Sequence, residues 1–141
     1  MSLGPKERFE YAWKHFDFIA DQRIRTFNFY IILLAASLGA TLTIYEKMPK
    51  LPALLACAAW HIFTSGIFFV FDLRSYKLLE GPRKALMWFE SQSDWEGPKL
   101  VTDDYNRKER KILTFTVAAR LTFIAQFITG IGILICAFAR S

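Results

Sequence analysis

Residues 27–45, 51–71 and 121–139 contain no Asp, Glu, Lys or Arg, and this limits what the chain can fold into more than any other feature. Each run is 19 to 21 residues long. At about 1.5 Å of rise per residue, each makes about 30 Å of helix, which matches the hydrocarbon thickness of a bilayer. A soluble helix of that length would carry a polar stripe, and these carry only scattered small polar groups: Asn28, Ser37, Thr41 and Thr43 in the first, His61, Thr64 and Ser65 in the second, Thr122, Gln126 and Thr129 in the third. The expected fold is an all-α integral membrane bundle with three transmembrane helices, an amphipathic N-terminal helix and a cytoplasmic helical loop. In a chain of 141 residues this leaves no soluble domain of ordinary size.

Charge sets the expected orientation. Lys6, Arg8, Lys14, Arg23 and Arg25 precede the first span, and nine more Lys or Arg lie from Arg74 to Lys111, whereas the 46–50 loop has Lys47 and Lys50 and the C-terminus has Arg140. The positive-inside rule then predicts an inner-membrane protein with its N-terminus and the 72–120 segment in the cytoplasm and its C-terminus outside. The net charge of +5 does not point to nucleic acid, because acids nearly cancel bases in each cytoplasmic segment. The basic blocks at 73–84 and 105–111 read as anchors to anionic headgroups of the lipid bilayer. The first apolar run has full span length and no small-residue cleavage site, so it is expected to be retained.

Outside the spans, residues 1–26 place Phe9, Ala12, Trp13, Phe16, Ile19 and Ala20 at helical spacing among charged residues. This amphipathic helix either lies in the headgroup plane or extends the first span and packs on the loop helix. Residues 74–90 read as a further helix that Gly81-Pro82 should kink or restart. Residues 91–105 read as a loop from their turn chemistry, and a helix from about Asn106 is expected to run into the third span, its first two turns below the bilayer. Arg120 then sits at the cytoplasmic interface, level with Asp72. Asp72 is expected to pair with Arg120 or Arg23, with Arg74 nearby, tying two helices together.

Unpaired polar groups are costly in hydrocarbon, so Ser37, His61, Ser65 and Gln126 should face helix partners or water, and for Ser37, Thr64, Ser65, Gln126 and Thr129 interhelical hydrogen bonding is expected. Counted inward from the cytoplasmic face, Ser37 and His61 are equally deep. His61 is the titratable residue at the midplane, and it either bonds a neighbouring helix as a neutral imidazole or lines a pore. Ala35 and Gly39, with Gly130 and Gly132 on the third span, form small-residue rows that allow close helix approach within one chain or between chains, so self-association is expected. Cys57 and Cys136 fall inside spans and read as apolar packing. No nucleophile triad, metal-spaced cluster, phosphate loop or dinucleotide motif is present in the sequence, so no catalytic, cofactor or metal residues are assigned and a non-enzyme is expected.

The stretches Tyr-Ala-Trp-Lys-His-Phe-Asp-Phe-Ile-Ala-Asp-Gln-Arg (11–23), Thr-Phe-Asn-Phe-Tyr (26–30) and Phe-Asp-Leu-Arg (71–74), followed by Leu78, Glu80, Ala85 and Leu86, resemble small SLATT-like transmembrane effectors of bacterial anti-phage and nucleotide-signalling systems. The resemblance covers most of the first 90 residues, and Gln22, Arg23, Asp72 and Arg74 match its polar positions beside the first two spans. Gly81-Pro82 departs from it. The resemblance implies a homo-oligomer that perturbs the inner membrane when a cytoplasmic signalling partner reports infection. The alternative is a non-conducting scaffold that recruits such a partner. A nucleotidyltransferase, nuclease or reverse transcriptase encoded next door would favour the effector.

Overall fold

A computed structural model describes residues 4–47, 50–92, 97–108 and 115–139, the side chains of 104, 107 and 108 excepted. The described residues form four helices and no strand: α1 (Pro5–Lys47), α2 (Leu51–Glu90), α3 (Leu100–Lys108) and α4 (Phe115–Ala139). Helices α1, α2 and α4 are each long and apolar enough to cross a membrane.

Helix α1 starts where its sequence says it should. Pro5 supplies a preset φ and has no donor to lose, while Glu7 Oε2 accepts a hydrogen bond from Gly4 N at 2.9 Å, satisfying one of the donors that every helix start leaves open. With no proline or glycine from Lys6 to Leu38, nothing stops the helix at the amphipathic-to-apolar transition. Of the two readings of residues 1–26, the structure therefore has the extension of the first span: one helix of 43 residues. Of the kink or restart expected at Gly81-Pro82, the restart does not occur: α2 continues to Glu90 with Pro82 inside it. Proline removes one helical hydrogen bond, and the carbonyl that loses it belongs to Leu78, an exposed residue that water can reach. A second expectation is corrected at α3, where residues 100–105 are helical and not loop. Residues 48–49, the loop tip at 93–96 with Trp95, and the predicted helical run through 109–114 lie outside the described residues.

Two compact units partition the chain: residues 1–25 with 73–114, and residues 26–72 with 115–141. In the first, Ala12 and Ile19 of α1 and Leu79 and Leu86 of α2 are buried, with Phe9 edge-on to Phe89 at 5.6 Å between ring centroids. Asp21–Arg25 at 2.8 Å and Glu80–Lys84 at 2.9 Å are exposed pairs one helical turn apart, while Arg23 and Glu90 are buried.

The second unit is a three-helix bundle in which α2 runs antiparallel to α1 and α4. Its apolar core is aromatic: Tyr30 lies 4.6 Å from Phe123 and 5.0 Å from Phe68, centroid to centroid, and Ala119 completes a cluster with Phe27, Leu34 and Phe69 packed against it. The Tyr30 hydroxyl donates to the carbonyl of Thr122 at 3.3 Å, so the buried phenol is not left unpaired.

Candidate functional site: the polar core of the bundle

The three spans meet in a polar network. Thr41 Oγ1 of α1 lies 3.0 Å from His61 Nε2 of α2, and His61 Nδ1 lies 3.3 Å from Gln126 Nε2 of α4. Gln126 Nε2 also donates to Thr64 Oγ1 at 3.0 Å. His61 is fully buried and Gln126 is 3 % exposed.

With the Gln126 amide oriented so that Nε2 faces His61 and Thr64, the bonding directions fix the histidine tautomer. Thr41 gives its hydroxyl hydrogen to the carbonyl of Ser37 at 2.8 Å, so it accepts from His61 Nε2–H. His61 Nδ1 is then a bare acceptor for Gln126 Nε2–H, and the imidazole is neutral. Thr64 passes its own hydrogen to the carbonyl of Trp60 at 2.8 Å. Gln126 Oε1 has no hydrogen-bond partner among the described residues, so the network ends on a buried acceptor without a donor.

Sequence depth suggested Ser37 as the residue level with His61, but the structure puts Thr41 there, one turn further along. Helical side chains lean toward their own N-terminus, and α1 and α2 are antiparallel, so Thr41 leans back toward the level that His61 leans up to. Ser37 and Ser65 bond back to their own helices, Ser37 to the carbonyls of Leu33 and Leu34 and Ser65 to that of Ile62 at 2.9 Å, and neither crosses to another helix in these bonds. Thr41, absent from the predicted site, and Thr64, expected to bond between helices, are the residues that connect to His61 and Gln126, whereas Thr129 bonds back to the carbonyl of Ala125. The usable sequence signal was their spacing: Thr41 one turn from Ser37, and Thr64 three residues from His61.

The small residues divide sharply. A Cβ on Gly130 would sit 2.8 Å from Ile62 Cγ1, 3.1 Å from the Ala58 carbonyl and 3.2 Å from His61 Cβ, so α4 touches α2 backbone-close at this point. Around Gly39 and Gly132 a Cβ would meet nothing within 4 Å, and Ala35 is exposed. Gly130 therefore serves packing within the chain, directly beside the polar network.

At the end of the bundle Asp72, 6 % exposed, pairs with Arg120 through Oδ2 and Nε at 3.3 Å, joining α2 to α4. In the other unit Arg23 is buried with its guanidinium 5.8 Å from the centre of the Tyr76 ring, and Arg74 is exposed. That unit also holds a buried acid that sequence reading passed over. Glu90 accepts from Val101 N at 2.8 Å, Thr102 N at 2.8 Å and Thr102 Oγ1 at 2.7 Å, capping α3 across the loop. Burial pushes its carboxyl up, but the bonds from Val101 and Thr102, with Lys99 nearby, outweigh this and hold it below the usual glutamate value.

Three span-length apolar helices around a hydrogen-bonded polar core define a small multi-pass α-helical membrane protein. The chain is 31 % identical over 137 residues, covering 92 % of this chain and 89 % of the relative, to CD-NTase-associated protein 19 of Escherichia coli, and it belongs to that protein's family. No family model and no solved structure matches it.

Proposed function

We propose that this chain is a homo-oligomeric inner-membrane effector that breaches the membrane in CBASS-type anti-phage defence, acting beside a CD-NTase and without catalysis of its own. The relative's name supports the CD-NTase association. The observation that carries the breach is the buried Thr41–His61–Gln126 core, which gives every span a polar group inside the membrane region, where such groups are costly to keep. One chain of three spans is too small to enclose a hydrated path, so several copies are required. This is the behaviour of the SLATT-like effectors that the sequence resembles, with the N-terminus cytoplasmic and the C-terminus outside.

One observation favours a second reading, a scaffold that holds a cytoplasmic partner. The unit of residues 1–25 and 73–114 exposes Tyr11, Trp13, Phe18 and Trp88, each at least 49 % accessible, among charged and other apolar side chains. Membrane potential in cells expressing the chain alone, and with the genes that flank its own under phage challenge, separates the two. Depolarisation together with a multimer in native mass spectrometry supports the effector; unchanged polarisation in both conditions with a monomer favours the scaffold.

A further inference from the structure

The polar groups a pore would need are all turned inward. In the bundle, His61, Thr64, Ser65 and Gln126 are buried, while the outward faces carry large apolar side chains such as Ile32, Phe63 and Ile128. The outward hydroxyls of Thr43 and Thr129 are committed to their own helices, donating to the carbonyls of Gly39 and Ala125 at 2.9 Å each. Asn28 is an outward amide, but it sits in the first turn of its span. Copies assembled in this conformation would surround their shared axis with isoleucine, phenylalanine and alanine, a lining that sheds water.

We infer that the structure is the closed state of the effector, and that conduction requires α4 to part from α2 at Gly130, turning His61, Thr64, Ser65 and Gln126 toward a shared aqueous path. This inference rests on the membrane-breaching reading. Two features make that contact the place where the bundle opens. The polar network and the Gly130 contact lie on the same stretch of α2, from Ala58 to Thr64, so parting the helices frees both together. The network is also incomplete while shut, because Gln126 Oε1 is buried without a donor, and this deficit disappears once water reaches it. A closed core with no charged group in its bonding and one unmet acceptor is stable enough to persist and loses little by hydration.

The test uses a background with Cys57→Ala and Cys136→Ala and places single thiols inside or outside the bundle. Ser65→Cys is the interior probe, with Phe63→Cys and Ala125→Cys as outward controls. Spheroplasts expressing each variant with the flanking genes are treated with a cationic thiol reagent before and after phage challenge, while membrane potential is recorded. A closed state that opens rarely exposes an interior thiol only a small fraction of the time, so modification of Ser65→Cys should rise about tenfold or more on depolarisation, with the controls unchanged. Gly130→Ala should raise Ser65→Cys modification before challenge, since its Cβ would press on the Ala58 carbonyl and His61. Should that variant fail to fold, the comparison with native Gly130 decides alone. Depolarisation with Phe63→Cys or Ala125→Cys modified and Ser65→Cys silent would overturn the inference and leave the membrane-breaching reading standing. No depolarisation would overturn both.

Discussion

The two units of this chain are built inside out with respect to one another. In the unit of residues 1–25 and 73–114, alanine, isoleucine and leucine fill the interior and the Asp21–Arg25 and Glu80–Lys84 pairs lie outside, with Arg23 against Tyr76 and Glu90 on the α3 amides as its buried charged groups. In the bundle of residues 26–72 and 115–141, the outside is almost wholly apolar, while imidazole, amide and hydroxyl groups occupy the inside alongside the aromatic cluster. Lipid gives apolar side chains no reason to hide and gives polar ones nowhere else to go. The same alphabet of residues is thus sorted differently within one chain, and the sorting in the bundle is the one a bilayer favours.

Substitutions can break that contrast. The largest effect is expected at Gly130. Gly130→Leu forces atoms into the backbone of Ala58, where even a Cβ would be only 3.1 Å from the carbonyl, so little or no monodisperse protein should survive detergent extraction. Gly39→Leu meets nothing within 4 Å and should leave the single-chain bundle intact, as judged by circular dichroism melting. If Gly39→Leu lowers the apparent mass in native mass spectrometry, that open face is where copies meet.

Next in size is the ion pair at the bundle's end. Asp72→Ala leaves Arg120 without its carboxylate where it is only about a third exposed, and should lower stability by about 1–3 kcal/mol after allowance for solvent screening. The double variant with Arg120→Ala should recover part of this loss, and a cycle showing no coupling would remove the pair as a tie between α2 and α4.

Within the network, Gln126→Leu removes the orphan acceptor along with the donors to His61 and Thr64, whereas His61→Leu takes one bond each from Thr41 and Gln126 and leaves the Gln126 acceptor buried. His61→Leu should therefore be the more destabilising, by about 1–3 kcal/mol, in thermal melts of the solubilised protein.

The smallest effect tests the watery unit. Glu90→Gln keeps the shape but weakens the cap on α3, and faster amide exchange at Val101 and Thr102 should report it, with a loss of about 1–2 kcal/mol locally. Because the folded carboxyl titrates below the ordinary glutamate value, its stabilisation is complete above that value and is lost as pH falls through the depressed one. Acid should lower the protection factors of those amides in the parent, once the slower intrinsic exchange at low pH is divided out, and Glu90→Gln should flatten that pH dependence.

Much was legible in the residues alone. Three runs without Asp, Glu, Lys or Arg read as span-length helices because no bilayer tolerates such charges cheaply, and no packing detail alters that. That Asp72 would pair with a basic residue was readable as well, since it sits where uncharged sequence gives way to charged, but Arg23 and Arg120 fitted equally and the folded chain shows the pair with Arg120. The rotation of each span about its own axis was not readable. A helix apolar on every side shows no preferred face, so which hydroxyl meets His61 depends on how α1, α2 and α4 lean together, and that chose Thr41 over Ser37. The same rotation put Gly130 inside and left Gly39 and Gly132 open, although all three looked alike in sequence. Glu90 was hidden for a different reason. Its partners are backbone amides 11 and 12 residues away across a loop, and only the folded chain brings a helix start to a carboxylate.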